Sequence, residues 1–398
     1  MRHLQKRFAE YNLPQIAMKE GIYAFYHEIE TGQDTVVKIN GKEILMFGSN
    51  SYLGLTNHPE LIKAGQETLK QYGTGASGSR LMNGNLDLHV KLEEKLAEFV
   101  CKPAATIFST GFQTNLGVIS SVAGRNDYII ADEKNHASII EGTRLSFGTT
   151  YKYKHNDMNS LEKALRRTQK GNKDKIVLIV TDGIFSMEGD IAKLDEISKL
   201  AEKYNASVMV DDAHALGVIG KNGAGTASHF GLTEKTDLIM GTFSKSLASL
   251  GGFIAGDKDT INYIKHNARS LLFSAGIPPA SAATVLKALE IIKAEPERID
   301  KLWENTNYAK KRLLEENFDI GNSTTPIIPI FTGEDNKTFI YASMLLEKGV
   351  YVNPVVHPAV EKNKGILRFS LMATHTKEQI DKAMEKLIEC RTIIENFK

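Results

Sequence analysis

Two short apolar runs in this sequence each end in side chains that can do chemistry. Asp211 and His214 follow one run, and Lys245 follows the other together with Thr242 and Ser244. An acid there can keep a proton on a pyridine nitrogen, a desolvated lysine can act as a nucleophile, and small hydroxyl residues can bind a phosphate. Taken singly, the acid is also typical of a helix cap or half of a metal site, and the lysine of a protein surface. Their joint occurrence predicts a site.

Two further runs can contribute to the same site. The run Thr106–Gly117 is typical of a strand that breaks at Gly111 and continues as a helix, and the amides at a helix N-terminus bind anions such as phosphate. His136 follows the apolar run Tyr128–Ala131, where its ring could stack on a flat cofactor. A capping or core role is the commoner one for a lone histidine. Ser186 follows another apolar run and is expected near the same rim.

Arg368 lies inside the apolar run Ile366–Met372. A guanidinium in such a place needs an anionic partner because it remains charged wherever it is buried. A substrate carboxylate bound by two parallel hydrogen bonds would satisfy it, and so would an internal salt bridge. From the sequence these two interpretations stay equally open.

The elements that must position these residues alternate along the chain. Short apolar runs are separated by amphipathic helical stretches, which is the pattern of a mostly parallel sheet covered on both faces and indicates an α/β fold. Ligands of such sheets bind beyond the carboxyl ends of the strands, so the polar residues found there should converge. The predicted strands are Ala105–Phe108, Tyr128–Ala131, Ile176–Thr181, Ser207–Val210, Leu238–Gly241 and Gly252–Ala255.

The pattern divides the chain into three parts. Residues 1–45 are predicted to form an N-terminal arm, with a helix over Leu4–Tyr11 and an extended segment at Thr35–Ile39. Residues 46–285 are predicted to form the large domain and residues 286–398 a smaller α+β domain. A helical stretch over Ala280–Lys293 leads through Glu295–Glu297 to a second helix ending near Phe318, and this stretch is the predicted hinge between the domains. The elements predicted beyond it are a further helix, strands Pro326–Phe331, Tyr351–Val356 and Leu367–Leu371, and a closing helix after Thr376.

Composition narrows the classes of partner. The chain has 398 residues, 42% of them hydrophobic, and a net charge of +1 with both signs interspersed, so nothing in its overall charge points to nucleic acid or an anionic membrane. Only Cys101 and Cys390 occur, far apart, which fits a reducing compartment, and we expect a cytoplasmic protein. No stretch has the length and apolarity of a transmembrane helix, and the first twenty residues lack the apolar core of a signal peptide.

Rival functions have weaker support. Gly73–Gly78 matches Gly-x-Gly-x-x-Gly, but it follows the helical stretch Pro59–Tyr72 rather than a strand, so an NAD-dependent dehydrogenase is a poor second hypothesis. The sequence has no His-Glu-x-x-His and no Gly-x-Ser-x-Gly, which removes the usual metalloprotease and serine-hydrolase readings, and no metal site is predicted. A non-catalytic binding protein would leave the reactive side chains at adjacent strand ends unexplained.

The combined motifs resemble those of the α-oxoamine synthases along essentially the whole chain. They are Met46–Gly54, Ser109–Gln113, Asn135–Ser138 and Gly241–Ser249. The resemblance implies a fold-type I transferase dependent on pyridoxal 5'-phosphate, with a large, mostly parallel seven-stranded sheet domain and a smaller α+β C-terminal domain. Ser244 favours the soluble bacterial serine palmitoyltransferase branch, because the glycine acetyltransferases have a glycine at that position.

The resemblance also implies roles for the residues that match the motifs. Lys245 would form the Schiff base with the cofactor, Asp211 would pair with its ring nitrogen, and His214 would bond its ring hydroxyl. His136 would stack on the ring and contact the substrate carboxylate. These four are the expected catalytic residues. The cofactor phosphate would be held by Gly111, Phe112, Thr242 and Ser244, with Ser186 nearby.

Substrate and partner assignments follow from the same resemblance. The palmitoyltransferase branch implies condensation of L-serine with a long-chain acyl-CoA. Arg368 would bind the substrate carboxylate and Asn50 would lie near the substrate. Ser274 and Ala275 match positions that reach the cofactor of the partner subunit, so a homodimer with shared sites is implied. A transient contact with a membrane surface would allow release of the lipid product.

Other members of the family remain as alternative functions. They are glycine C-acetyltransferase, also called 2-amino-3-ketobutyrate CoA ligase, and a cysteate acyltransferase. The sequence departs from the palmitoyltransferase pattern at Ala76, Leu81 and Asn85, and Ala215 occupies a place where relatives vary. These positions are expected to affect the choice of acyl chain or amino acid.

Overall fold

The strands of this computed structural model form three sheets, and the structure describes residues 2–169 and 174–396. The strands are β1 Val36–Ile39, β2 Lys42–Met46, β3 Ala104–Phe108, β4 Tyr128–Asp132, β5 Thr149–Tyr153, β6 Val177–Asp182, β7 Ser207–Asp211, β8 Leu238–Thr242, β9 Gly252–Gly256, β10 Ile327–Gly333, β11 Val350–Tyr351, β12 Asn353–Val355 and β13 Gly365–Ser370.

The central sheet has seven strands in the order β3-β9-β8-β7-β6-β4-β5. The strands from β8 to β5 in that order run parallel, whereas β9 is antiparallel to both of its neighbours, β3 and β8. Every residue of β6, β8 and β9 is buried, as continuous apolar runs covered on both faces should be. All six strands predicted for this sheet are present. The edge strand β5 was missed because its Thr-Thr-Tyr-Lys-Tyr sequence is half polar.

The helices cover both faces of the central sheet and surround the smaller sheets. They are α1 His3–Ala9, α2 Leu13–Lys19, α3 Pro59–Tyr72, α4 Asp87–Phe99, α5 Gly111–Val122, α6 Ala137–Leu145, α7 Met158–Thr168, α8 Leu194–Tyr204, α9 Thr226–His229, α10 Lys258–Asn267, α11 Arg269–Leu272, α12 Pro279–Ala294, α13 Glu297–Glu315, α14 Asp335–Glu347 and α15 Lys377–Asn396. Among the described residues, no helix combines the length and the apolarity needed to cross a membrane.

Local chemistry explains where the helices next to the site begin. The side chain of Thr110 accepts a hydrogen bond from the amide of Gln113 and so caps α5 directly after β3. Helix α3 begins at Pro59, behind His58, whose ring accepts from the amide of Glu60. The Gly73–Gly78 run therefore follows a helix, as predicted, and lacks the strand that a dinucleotide-binding turn requires.

The C-terminal part contains one correction to the predicted strands. Tyr351–Val356 was predicted as a single strand, but the chain forms β11, which pairs with β2, and then β12, which pairs with β13. Pro354 cannot donate a hydrogen bond, and the chain changes sheets just before it. The other predicted C-terminal strands correspond to β10 and β13, which pair antiparallel.

The N-terminal arm and the C-terminal part share a sheet. Strands β1 and β2 form a hairpin, and β11 adds to β2 in parallel. The division after residue 285 remains a prediction, and this position lies inside the continuous helix α12. Helix α12 packs mainly on α3 and α4.

Candidate active site

The carboxyl ends of three adjacent strands bring polar side chains to one edge of the central sheet. Asp182 ends β6, Asp211 ends β7 and Thr242 ends β8. Asp182 and Asp211 are register partners in the parallel pair, so their side chains point to the same face. Burial raises the pKa of Asp182 well above its usual range, and the nearby Asp211 carboxylate adds to the effect.

The carboxylate of Asp211 is held by one donor on each oxygen. Its Oδ1 accepts from the amide of Ala213 at 2.9 Å, and its Oδ2 accepts from the side-chain amide of Asn115 at 2.6 Å. Asp211 is buried. Because two donors fix the plane of the carboxylate, it can present a remaining lone pair to a protonated ring nitrogen.

Lys245 lies in the loop after β8 and is half-buried. Burial lowers the pKa of Lys245 to about 8, because the ammonium loses water, and Arg368 lowers it further, whereas Asp211 and Asp182 oppose the shift. An amine with a pKa near 8 is neutral often enough near neutral pH to act as a nucleophile and a base. The predicted lysine therefore lies within electrostatic range of the predicted aspartate and arginine.

His214 is fixed by Tyr52, a residue that the sequence analysis did not assign to the site. The Tyr52 hydroxyl lies 2.7 Å from Nδ1 of His214, and a guanidinium NH2 group of Arg368 donates to the same hydroxyl oxygen at 3.4 Å. Burial lowers the pKa of His214 well below its usual range, and the positive charges of Lys245 and Arg368 add to this. A neutral His214 that accepts the Tyr52 proton at Nδ1 carries its own proton on Nε2, where it can donate to a ligand.

Arg368 is buried, with 4% of its surface exposed, and has no acidic partner among the described residues. Its Nε donates to the backbone carbonyl of Ser186 at 2.6 Å, and one NH group donates to the Ser370 hydroxyl at 2.9 Å. Of the two partners that the sequence left open, the internal salt bridge is absent from the part of the chain that the structure describes. A buried guanidinium surrounded by neutral acceptors is suited to a carboxylate ligand.

His136 caps helix α6 and stands exposed at the mouth of the site. Its Nδ1 accepts from the amide of Ser138 at 3.2 Å and lies 2.7 Å from the Ser138 hydroxyl. The backbone amide can only donate, so Nδ1 carries no proton and Nε2–H is the donor that faces outward. The amide of His136 donates to Asp182 Oδ2 at 2.8 Å, which fixes the start of the helix.

An anion cradle lies between the start of α5 and the end of β8. A Cβ added to Gly111 would lie 2.7 Å from Thr242 Oγ1, and one added to Gly252 would lie 2.8 Å from the amide nitrogen of Gly111. Thr242 Oγ1 lies 3.1 Å from Ser244 Oγ. Only glycines permit this approach, which brings the amides at the start of α5 and the hydroxyls of Thr242 and Ser244 to one place where they can bind a phosphate. Thr242 Oγ1 also donates to the carbonyl oxygen of Gly251 at 3.2 Å.

The remaining predicted residues lie around this rim. Phe112 is partly exposed and its ring meets that of His136 edge-on at 6.4 Å. Ser274 Oγ accepts from the Gln113 side chain at 3.3 Å, and the carbonyl of Ala275 accepts from Ser109 Oγ at 2.5 Å. Asn50 Oδ1 lies 3.4 Å from the Tyr52 hydroxyl.

Sequence reasoning did not assign Tyr52, Asn115 or Asp182 to the site. Asp182 follows a predicted strand and obeys the same strand-end rule that singled out Asp211, so the signal for it was present. Asn115 lies within a helix and Tyr52 lies in an irregular segment far from the sheet in sequence. No spacing or local pattern connects either residue to a strand end.

Comparison with known proteins gives consistent findings. A family model described as aminotransferase class I and II matches residues 42–387. A serine palmitoyltransferase from Sphingobacterium spiritivorum is 58% identical over 97% of this chain and 96% of its own, and one from Bacteroides thetaiotaomicron is 54% identical over 97% of each. The structure of a lysine-to-alanine variant of serine palmitoyltransferase from S. paucimobilis, with a bound PLP–myriocin aldimine, superposes with a TM-score of 0.94 at 31% identity, covering 99% of this chain and 100% of that one.

Proposed function

This chain belongs to the class I and II aminotransferase family, and on that premise we propose that it condenses L-serine with palmitoyl-CoA. The products are 3-ketodihydrosphingosine, CoA and carbon dioxide, and the enzyme is a pyridoxal-phosphate-dependent acyltransferase of the α-oxoamine synthase group. Relatives named serine palmitoyltransferase match nearly the full length of the chain at 54–58% identity.

The observation that carries the proposal is the buried Arg368, which lacks an acidic partner among the described residues and is near enough to Lys245 for its charge to lower the pKa of that lysine. An amino acid bound with its carboxylate at Arg368 would bring its α-carbon toward the lysine that must remove the proton. Alignment of a substrate by a two-pronged guanidinium contact is worth several powers of ten in rate when it places the reacting atoms correctly.

The residues present fit pyridoxal phosphate. Gly111, Thr242 and Ser244 would hold its phosphate, Asp211 would face its ring nitrogen, and Lys245 would carry its aldehyde carbon. The group supplies an electron sink, which makes the α-proton of the amino acid removable and stabilises the electrons left when carbon dioxide departs. Asp211 makes this sink effective because its carboxylate keeps the ring nitrogen protonated.

The remaining steps are divided among four side chains of the site, Lys245, His136, His214 and Arg368. Lys245 takes the α-proton as a neutral amine and returns a proton after carbon dioxide has left. His136 presents Nε2–H to the carboxylate, and His214 presents Nε2–H to the ring hydroxyl. Together with Arg368, His136 holds the carboxylate in place until the acyl group has been transferred from the thioester, which suppresses early loss of carbon dioxide.

The test is an assay of the purified protein for a visible absorption band and for thiol release. We expect L-serine, rather than glycine, L-alanine or L-cysteate, to perturb the band, and palmitoyl-CoA then to release CoA with stoichiometric carbon dioxide. Lys245→Ala should abolish both responses. Thiol release from acetyl-CoA with glycine, or from palmitoyl-CoA with L-cysteate alone, would assign the chain to one of the other α-oxoamine synthases instead.

We also propose that the enzyme works as a homodimer with shared sites. Ser79 bridges Ala275 next to the cradle, and the apolar side chains of Leu81, Met82 and Phe273 on these two segments are exposed. Apolar patches of this kind on a water-soluble surface mark interfaces. A second copy of the chain fits this patch because the family resemblance places Ser274 and Ala275 at the partner's cofactor.

A transient membrane contact and a cytoplasmic location complete the proposal. The described part of α1 and α2 has no buried residue, and Leu4 and Phe8 lie on one exposed face of α1 beside Lys6 and Arg7. Such a face suits the surface of an anionic bilayer, into which the product must pass. Co-sedimentation with vesicles of anionic phospholipid, lost in Phe8→Glu, would support the contact.

The cytoplasmic location is supported by the cysteines. Both cysteines are free, which fits the cytoplasm.

A further inference from the structure

One buried amide links two residues of the site that come from different elements. Asn115 lies in the first turns of α5 with none of its surface exposed. Its Nδ2 donates to Asp211 Oδ2 at 2.6 Å and to the Ser138 hydroxyl at 2.8 Å. Both protons of the amide are therefore used, one toward the end of β7 and one toward the start of α6.

The second bond continues to His136. Since the Ser138 oxygen accepts from Asn115, its own proton is free for Nδ1 of His136, which lies 2.7 Å away. The chain of donors thus runs from Asn115 through Ser138 to the imidazole, and a separate branch runs to the carboxylate. Gly142 permits this arrangement, because a Cβ there would lie 2.8 Å from the backbone carbonyl oxygen of Asn115 and would push α6 away from α5.

The orientation of the amide is itself informative. Reversing it would turn Oδ1 toward the Asp211 carboxylate at hydrogen-bond distance, where two acceptors repel. In the orientation observed, Oδ1 has no partner among the described residues, which is a cost for a buried polar atom. The two donor bonds outweigh that cost, and one of them ends on a charged group, where a hydrogen bond is strongest.

We propose that Asn115 is a positioning residue that ties the carboxylate of Asp211 and the ring of His136 into one network and so sets the place of the cofactor ring between them. This inference rests on the proposed function, since it assumes that a pyridine ring binds at Asp211. In the proposed complex, Asn115 itself touches neither substrate nor cofactor. It acts through the two residues that do.

The test compares Asn115→Leu with a matched buried asparagine. Asn305 is equally buried, donates only to the backbone carbonyls of Met372, Ala373 and His375, and also has an Oδ1 without a partner in the described chain. We expect Asn115→Leu and Asn305→Leu to lower the melting temperature alike. Only Asn115→Leu should weaken binding of pyridoxal phosphate to the apoprotein, by roughly tenfold or more.

A second readout follows His136 in the apoprotein by NMR of histidine ring nitrogens, with the signal assigned from His136→Gln. The charged groups that act on this ring are Asp211 and Lys245, while Asp182 accepts from the backbone amide of the same residue. Loss of the Ser138 donor destabilises the neutral ring, so its titration midpoint should rise in Ser138→Ala. Asn115→Leu keeps the Ser138 hydroxyl but removes the bond that fixes its direction, so the midpoint should rise there by a smaller amount. It should stay unchanged in Asn305→Leu. Ser138→Ala removes a single buried hydroxyl, so it tests this branch even if Asn115→Leu does not fold.

The outcomes separate this inference from the function itself. If the wild-type apoprotein does not bind pyridoxal phosphate, the proposed function fails. If it binds, and Asn115→Leu binds as tightly or loses no more than Asn305→Leu, the positioning role is wrong. A titration midpoint of His136 that stays at the wild-type value in both Ser138→Ala and Asn115→Leu would also overturn the proposal.

Discussion

At the scale of single residues, the site consists of reactive groups whose proton positions are set by their neighbours. The Ser138 amide places the proton of His136 on Nε2, and a Tyr52 hydroxyl that donates to Nδ1 of His214 does the same for His214. Both rings are then donors toward the ligand. Burial lowers the pKa of His214, and the protein that covers one side of the otherwise exposed His136 ring removes enough water to lower the pKa of His136 as well. The site holds two cations, Lys245 and Arg368, and only Arg368 keeps its charge at every pH at which the lysine acts as a base. Discrimination for an amino-acid carboxylate therefore depends on that guanidinium.

Arg368→Lys should weaken the binding and alignment of L-serine and leave the binding of palmitoyl-CoA unchanged. Lysine keeps the positive charge but loses the fork that holds a carboxylate with two parallel bonds. We expect kcat/KM for L-serine to fall by roughly tenfold to a hundredfold, the equivalent of one hydrogen bond to a charged group, with the KM for palmitoyl-CoA within about twofold of wild type. Steady-state kinetics with each substrate varied in turn provide the measurement.

Arg298→Lys is the matched control, because Arg298 is partly buried but already pairs with Glu295. It should leave both substrate profiles unchanged. If Arg368→Lys raised the KM for palmitoyl-CoA as much as it raised the KM for L-serine, Arg368 would support the fold rather than bind the substrate. The same conclusion would follow if Arg298→Lys lowered kcat/KM for L-serine as much as Arg368→Lys does.

At the scale of elements, the sequence predicted most of what lies at the sheet. Buried strands have continuous apolar runs, and the residue after each run is identifiable, so Asp211 and Lys245 could be found without a structure. The edge strand β5 lacks such a run, and the change of sheets between β11 and β12 depends on contacts with β2 and β13, which are distant in sequence. Asn115 was not assigned for the same reason, because its partners come from other elements.

His155 joins three of these elements and should make stability depend on pH. Its Nδ1 lies 3.1 Å from Asp132 at the end of β4, and its Nε2 lies 3.0 Å from Asp190 in the loop after β6. Burial alone would lower the pKa of His155, but the two carboxylates outweigh it and raise the pKa to about 9. Because the pKa is raised on folding, the stabilisation is complete below about pH 6.5 and is lost as the pH rises through about 9.

Urea unfolding of wild type and His155→Gln at several pH values measures this effect. The difference between the two proteins should reach about 3 kcal/mol at pH 6 and shrink toward zero by pH 10, the order of magnitude that a shift of this size implies. His266→Gln, a change on the exposed surface of α10, should show no such trend. A difference in unfolding free energy that is constant across this range, or that grows with pH, would show that the ion pairs from His155 to Asp132 and Asp190 do not stabilise the fold.

At the scale of the whole molecule, the site draws on distant parts of the chain. Tyr52 follows the N-terminal hairpin, Lys245 and Asp211 follow the central sheet, and Arg368 comes from β13. The β1-β2-β11 sheet also joins the arm to the C-terminal part. No single predicted domain therefore contains the site. In the proposed homodimer, the partner would cover the exposed side of the cradle near Ser274 and Ala275.

Charged substitutions on the exposed side of the cradle should dissociate the proposed dimer and also weaken binding of the cofactor. Met82 is 76% exposed and Phe273 is 75% exposed, so glutamate at either position costs the free chain little. In a dimer it would bury a charge without a partner, which costs several kcal/mol. We expect Met82→Glu/Phe273→Glu to shift the mass in analytical ultracentrifugation from twice the chain mass to the 44.0 kDa of one chain. Binding of pyridoxal phosphate should weaken in the same variant.

Leu314→Glu is the control for an exposed apolar residue elsewhere, because Leu314 lies on α13 in the C-terminal part. It should change neither the mass nor the binding. A wild-type protein that sediments as a single chain while fully active would exclude shared sites. A double variant that becomes a single chain but binds the cofactor as tightly as wild type would show that the partner covers the site without completing it, and Ser274 and Ala275 would then act only within their own chain.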